Sequence, residues 1–392
     1  MDFLLDTLIN SEVQRQDTVV ELIASENFVS DRIKRIVGSC LTNKYAEGYP
    51  GNRYYGGCEF VDSIETYCQN TWRQVFDTNY WVNVQPHSGS NANLAAYMAV
   101  LKPGDTVLSM SLENGGHLTH GSPVNISGKL FNFVHYGVDE EGFIDFDDFK
   151  ERLYRYKPKL VVVGASSYSR MLSYRTFKQQ IEIYESETGN TCYMMVDMAH
   201  VAGLIAAGFH STPFGVADIV TTTTHKTLRG PRGGMIFCRP SLAKKIDSAI
   251  FPGVQGGPLM HVIAGKAACA EECMEDSYKK YIRQVICNAK FMAQQFTNCG
   301  FSVVTGGTDN HMFLIDLSKT HPKLTGKMVQ EALDNCGITV NKNTVPGEKR
   351  SPIQASGIRI GTAAMTTRGW KELEFYDCTK KIVKCINQLH GE

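Results

Sequence analysis

Three predicted strands end in polar residues whose types could do chemistry together. One buried run ends at Val163 and leads to Ser166, a second ends at Val196 and leads to Asp197, and a threonine-rich run leads to Lys226. Ligands of open parallel sheets bind at the carboxyl ends of the strands, so we expect these side chains to face one site. A lysine amine can form an imine with an aldehyde, and a carboxylate can keep a pyridine nitrogen protonated. The pattern therefore predicts pyridoxal phosphate (PLP), bound as a Schiff base on Lys226.

The phosphate group of such a cofactor needs its own binding site, and residues 85–91 supply a candidate. This segment contains Ser88, Gly89 and Ser90 and precedes a predicted helix at 92–101. Hydroxyl groups and free backbone N–H groups at the start of a helix bind anions. An ordinary helix cap without a ligand fits the spacing equally well, because no Walker pattern is present.

The elements that must position these residues follow from the hydrophobic pattern. Runs at 105–110, 160–163, 193–196 and 219–223 predict buried strands, and longer amphipathic segments lie between them. This alternation indicates an α/β fold with a mostly parallel central sheet and helices on both faces. Shorter strand patterns at 301–304 and 312–317, mixed with helical ones, predict a smaller α+β domain.

We expect three segments along the chain. They are an N-terminal helical segment at 1–45, a large PLP-binding α/β domain at 46–275 and a small C-terminal α+β domain at 276–392. The N-terminal segment is predicted to be helical from the spacing of its apolar residues, which are Leu4, Leu5, Leu8 and Ile9, followed by Val19, Leu22 and Ile23.

Composition limits the classes of partner. The 392 residues are 43% apolar, and 40 basic residues balance 40 acidic ones, so we expect small-molecule partners and no nucleic acid. No long apolar run predicts a membrane helix, and the amino terminus has no signal pattern, which favours a cytoplasmic protein. The 12 cysteines are scattered without a C-x-x-C pair, so we expect free thiols and no metal site.

Motifs over nearly the whole chain resemble those of the serine hydroxymethyltransferase family, whose members are fold-type I PLP enzymes with the aspartate aminotransferase-like fold. The matching runs lie at 21–27, 41–51, 53–57, 115–121, 196–203, 221–228, 230–234, 255–261, 306–311 and 356–359. The resemblance implies reversible conversion of L-serine and tetrahydrofolate to glycine and 5,10-methylenetetrahydrofolate, a transferase reaction of one-carbon metabolism.

The resemblance also implies roles for residues around the cofactor. Lys226 would carry PLP, Asp197 would pair with the pyridine nitrogen, and His225 and Thr223 would complete the catalytic set. Further residues would hold the ring and the phosphate: His117 and Ala199 on the two ring faces, Ser166 and His200 near the phenolic oxygen, and Ser88, Gly89 and Ser90 at the phosphate. Tyr45 and Gly257 would be contributed by a neighbouring subunit, which implies a homodimer with shared active sites.

For the substrates, the resemblance implies that Arg359 grips the serine carboxylate and that Glu47 moves protons. Ser25, Tyr54 and Tyr55 would assist in binding serine. Tetrahydrofolate, the co-substrate, would lie against Leu112, Gly116, Leu118, Asn343, Ser351 and Pro352.

Five positions depart from the usual family pattern. Asn91, Asn114, Arg170, Ile353 and Ala363 stand where glutamine, histidine, a small residue, an aromatic residue and proline are usual. Asn114 and Ile353 border the expected folate pocket, so these departures bear on folate binding more than on PLP chemistry.

Two other functions compete with this interpretation. A folate-independent threonine or β-hydroxy amino acid aldolase would use the same lysine and aspartate, although the segment 112–118 and Asn343 argue against it. A noncatalytic descendant, acting as a scaffold or RNA-binding protein, would have no need to retain Lys226, Asp197, Glu47 and Arg359 together.

Overall fold

A computed structural model describes residues 4–391 of the chain. Its helices are α1 Leu4–Thr18, α2 Asp31–Val37, α3 Glu59–Val75, α4 Gly89–Val100, α5 Ile126–Leu130, α6 Phe146–Tyr156, α7 Tyr174–Thr188, α8 Ala202–Ala206, α9 Ala243–Ser248, α10 Met260–Cys273, α11 Asp276–Asn298, α12 Leu317–Thr320, α13 Gly326–Asn335, α14 Ala363–Thr367 and α15 Glu372–His390. Its strands are β1 Val20–Glu21, β2 Gly48–Tyr49, β3 Asn52–Arg53, β4 Trp81–Asn83, β5 Thr106–Met110, β6 Asn132–Tyr136, β7 Leu160–Val163, β8 Tyr193–Asp197, β9 Ile219–Thr223, β10 Gly234–Cys238, β11 Ser302–Val303, β12 Met312–Asp316, β13 Ile338–Thr339, β14 Asn341–Asn343 and β15 Gly357–Gly361.

A seven-stranded central sheet has the order β4–β10–β9–β8–β7–β5–β6. Only β10 runs antiparallel to its neighbours, and the strands from β9 to β6 pair in parallel. Every residue of β7 and β9 is buried, as expected where helices cover both faces of a parallel sheet. The predicted α/β class with a mostly parallel sheet is therefore confirmed.

The register of the central strands explains why their ends form one site. Val163 lies opposite Val196, and Asp197 lies opposite Thr221. The chain therefore leaves β7, β8 and β9 at nearly the same level of the sheet edge.

The C-terminal part contains a second sheet with its own apolar core. This sheet is antiparallel throughout, in the order β11–β12–β15–β14. Phe296 of α11 and Phe313 of β12 are fully buried in this core, together with Leu22 from the N-terminal segment. β15 is central in the sheet, so Arg359 projects from a strand held on both sides.

The predicted helical continuation past residue 18 is wrong. α1 ends at Thr18, and Val20–Glu21 forms β1, which pairs in parallel with β13. Leu22 N–H donates to the carbonyl of Thr339 at 2.9 Å, and the Leu22 carbonyl accepts from Gly361 at 2.8 Å. These tertiary contacts outweigh the local helical spacing, because they pair the backbone and bury Leu22 completely.

The apolar side chains of α1 are not covered by any other part of the chain that the structure describes. Leu4, Leu5, Leu8, Ile9 and Val13 are each more than half exposed, the least exposed at 52%. Among the described residues, no helix is long and apolar enough to cross a membrane.

Hydrogen bonds connect a loop of the central sheet to a loop of the C-terminal sheet. Arg170, which follows β7, donates from Nε to Thr305 Oγ1 at 3.0 Å and from Nη1 to Asp309 Oδ1 at 3.1 Å. Asp309 N–H in turn donates to the carbonyl of Ser169 at 2.8 Å. These bonds fix the loop after β7 against the segment that leads into β12.

Candidate active site

A cavity of about 460 Å³ opens at the carboxyl edge of the central sheet. The loops after β7, β8 and β9 supply much of its wall, namely Ser166, Asp197, Ala199, His200, His225 and Lys226, with Thr223 at the end of β9. Other predicted residues line it from elsewhere in the chain, namely Ser25, Ser88, Gly89, Ser90, His117 and Arg359. The structure thus brings together most of the cofactor residues that the sequence suggested.

Lys226 lines this cavity and is 9% exposed. Burial lowers the pKa of Lys226 to about 8, although the nearby Asp197 carboxylate opposes the shift. Asn27 Nδ2 holds the turn by donating to the Lys226 carbonyl at 3.0 Å. A lowered pKa increases the fraction of neutral amine, which is the form that attacks an aldehyde.

Asp197 ends β8 and is held as a carboxylate. Its Oδ2 accepts from His120 Nε2 at 3.0 Å and from Asn93 Nδ2 at 2.9 Å, and its Oδ1 accepts from Ala199 N–H at 3.1 Å. Burial alone would raise the pKa of Asp197, but the hydrogen bonds from His120 and Asn93 bring the pKa well below its usual range. An ionised, oriented carboxylate is what a protonated pyridine nitrogen requires.

Three of the four histidines that line the cavity, His117, His200 and His225, are neutral at pH 7. Burial lowers the pKa of His117 to about 4 and that of His225 to about 3, and it also lowers the pKa of His200 well below its usual value. Thr119 Oγ1 lies 2.8 Å from His117 Nδ1 and fixes that ring. Uncharged imidazoles can pack against an aromatic ring without adding positive charge to the site.

The phosphate candidate forms the start of α4. Ser88 is the N-cap, and its Oγ accepts from Asn91 N–H at 3.2 Å. A Cβ atom added to Gly234 would lie 2.3 Å from the Ser88 carbonyl oxygen, so glycine is needed for β10 to approach this loop. Gly89 and Ser90, at the start of this 12-residue helix, line the cavity, and the free N–H groups and hydroxyl of a helix start suit an anion.

A buried lysine supports the same loop from behind. Lys266 Nζ donates to the carbonyls of Val84 at 2.7 Å, Pro86 at 3.1 Å and Gly234 at 2.8 Å. Its side chain is 1% exposed. These three bonds tie the end of β4 and the start of β10 to one point beneath Ser88.

Arg359 reaches the cavity from β15. Its Nε donates to Asn341 Oδ1 at 2.9 Å, and its Nη1 donates to the Ser166 carbonyl at 2.6 Å. Burial lowers the pKa of Arg359 to about 10, so the guanidinium stays charged at pH 7. A charged, oriented guanidinium can bind a carboxylate through two parallel hydrogen bonds.

The residues present fit PLP. Thr223 Oγ1 is buried at the cavity wall and has no hydrogen-bond partner among the described residues. Buried hydroxyl groups without partners are uncommon and signal a missing ligand or water. An amine, a carboxylate and a hydroxyl-rich helix start match the aldehyde, pyridine nitrogen and phosphate of PLP respectively.

A second group of predicted residues lies outside this cavity. Tyr55 Oη donates to Glu47 Oε2 at 3.4 Å, and the rings of Tyr45 and Tyr55 contact edge to face with centroids 5.5 Å apart. A Cβ atom on Gly257 would meet the Tyr45 ring at 3.1 Å. Tyr45, Tyr54 and Tyr55 are at least half exposed. We call Tyr45, Glu47, Tyr54, Tyr55 and Gly257 the tyrosine cluster.

The predicted folate residues are dispersed. Leu112 and Leu118 are exposed, at 40% and 47% respectively. Asn343 Oδ1 accepts from Ser167 Oγ at 2.9 Å and lines a narrow cleft with Gly115. Gly116 packs against the backbone of Met110, where a Cβ atom would lie 2.4 Å from the carbonyl oxygen.

Ser351 and Pro352, the other two predicted folate residues, lie in an exposed turn. They line neither the cavity nor the cleft at Asn343.

Several residues of the site escaped the sequence analysis. His120 and Asn93 bind Asp197, and Arg232 and Glu26 also line the cavity. His120 belongs to the motif at 115–121, but its spacing gave no sign that it would reach Asp197. Lys266 lies in an apolar helix, α10, where a lone lysine is a signal of a buried partner.

The comparison with protein families agrees with this geometry. The family model described as "Serine hydroxymethyltransferase" matches residues 1–382 of the 392. A match of this length covers both sheets, every residue of the cavity and the tyrosine cluster. The chain belongs to the serine hydroxymethyltransferase family, and it is a PLP-dependent glycine hydroxymethyltransferase.

Proposed function

We propose that this chain carries out the family reaction with PLP held as a Schiff base on Lys226. The observation that carries the proposal is the burial of Lys226 and Asp197 at neighbouring strand ends in one cavity. When bound, PLP withdraws electrons from the substrate bond that breaks at the α-carbon. The other steps depend on residues of the chain.

The proposed roles combine the family resemblance with the positions of these residues in the cavity wall. Asp197 keeps the ring nitrogen protonated, His117 and Ala199 pack on the two ring faces, and Ser166 and His200 bind the phenolic oxygen. Ser88, Gly89 and Ser90 hold the phosphate. Arg359, assisted by Ser25, orients the serine carboxylate, and His225 and Thr223 border the reacting amine.

Absorbance and turnover test the cofactor assignment. The purified protein should absorb visible light from bound PLP, lose that band on borohydride reduction, and yield a peptide with PLP on Lys226. Lys226→Gln should be colourless, while the same substitution at an exposed lysine, Lys244→Gln, should keep the band. Covalent cofactor persisting in Lys226→Gln would contradict the proposal. Serine-dependent formation of methylenetetrahydrofolate by the wild type then tests the reaction itself.

We also propose a homodimer in which the tyrosine cluster completes the partner's site. Glu47 and Tyr55 lie outside the cavity of their own chain. The apolar face of α1 is exposed in the single chain and requires cover. In this arrangement Glu47 of one chain moves the substrate proton in the other, and Tyr45 and Gly257 contact the other chain's phosphate.

Mixed dimers distinguish shared sites from independent ones. Lys226→Gln and Glu47→Gln chains should each be inactive, but unfolding and refolding them together should restore activity. In the mixed dimer, one site combines an intact Lys226 with an intact Glu47 from the other chain. If Glu47 acts in its own chain's site, every site of the mixture stays defective and no activity returns.

Tetrahydrofolate is proposed to bind beside the cavity, against Leu112, Leu118 and the cleft at Asn343. Exposed leucines offer apolar surface to a pterin or benzoyl ring, and Asn343 offers an amide. Leu118→Asp should raise the KM for tetrahydrofolate without changing PLP absorbance. An unchanged KM would contradict this placement. Gly116, Ser351 and Pro352 complete the proposed folate set on the basis of the resemblance alone.

A cytoplasmic location is also proposed. All 12 cysteines are free thiols, 7 of them buried, as expected for a reducing compartment. Fractionation of the source cells, followed by detection of the chain, tests the location.

A further inference from the structure

A second histidine, His311, lies directly behind His200 and outside the cavity. Its Nε2 is 3.4 Å from His200 Nδ1 and 3.2 Å from the carbonyl oxygen of Ala24. Both rings are buried, with His311 fully inaccessible. The ring planes differ by 26° and the centroids are 5.6 Å apart. Because the centroid separation exceeds the N–N separation by about two ring radii, the rings meet edge to edge, as an in-plane hydrogen bond requires.

Both imidazoles are neutral, so each carries one ring proton. Burial lowers the pKa of His311 to about 3 and that of His200 well below its usual value. The charges of Lys226 and Arg359 lower both further, and His311 also lowers the pKa of His200. Either ring could in principle hold its proton on Nδ1 or Nε2.

The contacts of His311 select one tautomer. The Ala24 carbonyl can only accept a hydrogen bond, so His311 Nε2 must carry the proton. His311 Nδ1 is buried and has no partner among the described residues. The opposite tautomer would leave an unsatisfied N–H there and set a lone pair against the Ala24 oxygen. A buried donor without a partner is rarer in native structures than a buried acceptor without one, so the tautomer with the proton on Nε2 is favoured.

The tautomer of His311 then fixes that of His200. His200 Nδ1 faces the Nε2–H of His311, so it must present its lone pair and leave its own proton on Nε2. His200 lines the cavity, and His311 occupies the Nδ1 side of its ring, so Nε2–H is the donor left for the cavity.

We propose that His311 is a positioning residue that holds His200 as the Nε2–H tautomer, a fixed hydrogen-bond donor toward an anionic oxygen in the cavity. Because Ala24 directly precedes Ser25, the same Nε2–H also ties the backbone of the proposed serine site to His200. Only the identity of that oxygen, the phenolic oxygen of PLP, rests on the proposed function.

Nitrogen-15 NMR of histidine-labelled holoenzyme reads the tautomers directly. The His200 signals, assigned by their loss in His200→Asn, should show a protonated Nε2 and a bare Nδ1. His311→Gln can return an amide N–H to the position of Nε2 and should preserve this pattern. His311→Phe should replace it with a mixture of tautomers. His210→Gln removes another buried histidine outside the cavity and should leave His200 unchanged.

Two outcomes would overturn the proposal. One is a wild-type His200 protonated on Nδ1, which can be read even if His311→Phe fails to fold. The other is a folded His311→Phe that keeps the pure Nε2–H pattern. Absorbance of bound PLP against pH separates the proposal from the proposed function. If His311→Phe changes the tautomer of His200 but leaves the PLP absorbance unchanged, the role of His311 is supported and the contact between His200 and the cofactor is contradicted.

Discussion

His120 donates a hydrogen bond from Nε2 to Oδ2 of Asp197 across 3.0 Å, inside the wall of the PLP cavity. The tautomer is fixed from the other side, because His117 N–H lies 3.2 Å from His120 Nδ1 and requires an acceptor there. A backbone amide thus orients the imidazole, and the imidazole holds the carboxylate that faces the cofactor ring. His120 is 2% exposed, so water cannot replace it readily.

Removing this donor should weaken cofactor binding. His120→Phe removes one of the three hydrogen bonds to the Asp197 carboxylate, and a bond to a charged group is worth about 1.5–3 kcal/mol, or roughly a ten- to hundredfold loss of PLP affinity. His120→Gln can keep an N–H near Nε2 and should bind PLP nearly as well as the wild type. Fluorescence titration of the apoenzymes with PLP measures both. Equal affinity of His120→Phe and the wild type would contradict the role assigned to His120.

The sequence was sufficient to locate the reactive residues that come directly after predicted strands. Ser166, Asp197 and Lys226 could be placed at one edge because parallel strands end together, and the register of β7, β8 and β9 brings them there. His120 and Lys266 could not be placed in this way, because their partners lie across loops whose geometry is set by tertiary packing. The resemblance supplied Arg359, which comes from a different sheet.

The tyrosine cluster shows a different limit. Motif resemblance identified Glu47 and Tyr55, but no local pattern reveals that they lie outside the cavity of their own chain. That position depends on the β2–β3 hairpin, which Arg53 anchors by salt bridges to Asp62 at 2.8 Å and Glu65 at 2.7 Å. Likewise, the strand β1 exists only because β13 lies beside it, so helical spacing misled the prediction there.

The lowered pKa of Lys226 predicts how PLP uptake depends on pH. The neutral amine attacks the aldehyde, so uptake by the apoenzyme should rise with pH with a midpoint near 8, where the pKa of Lys226 lies. Exposed lysines would give a midpoint near 10.4. Because Asp197 raises this pKa, Asp197→Asn should move the midpoint to lower pH. Covalent trapping with cyanoborohydride, quantified by mass spectrometry, measures the rate, and a wild-type midpoint above 10 would contradict the prediction.

Lys266 should be required for a stable phosphate loop. Burial lowers the pKa of Lys266 to about 8, which still leaves the amine protonated at neutral pH. Lys266→Met removes three hydrogen bonds to backbone carbonyls, at about 1 kcal/mol each, so stability should fall by about 3 kcal/mol and PLP affinity should fall with it. Thermal unfolding with and without PLP tests both effects. Lys244→Met, at an exposed site, should change neither. A Lys266→Met protein with wild-type stability and PLP affinity would show that the phosphate loop does not depend on Lys266.

Arg359 should determine serine affinity and leave PLP binding intact. Arg359→Lys keeps the charge but loses the planar fork, so the KM for serine should rise about tenfold to a hundredfold, the equivalent of about 1.4–2.7 kcal/mol. The absorbance of bound PLP should be unchanged. Arg350→Lys is a matched control, because Arg350 binds the carbonyls of Leu324 and Pro322 in the same part of the fold and does not line the cavity.

A substrate without a carboxylate gives the decisive comparison for Arg359. Serine methyl ester cannot pair with the guanidinium, so wild type and Arg359→Lys should use it equally poorly. If Arg359 acted only through its bonds to Ser166 and Asn341, the substitution would impair serine and the ester by the same factor. An effect confined to serine therefore assigns Arg359 to the substrate carboxylate, because serine carries the carboxylate that the guanidinium is proposed to bind and the ester lacks it.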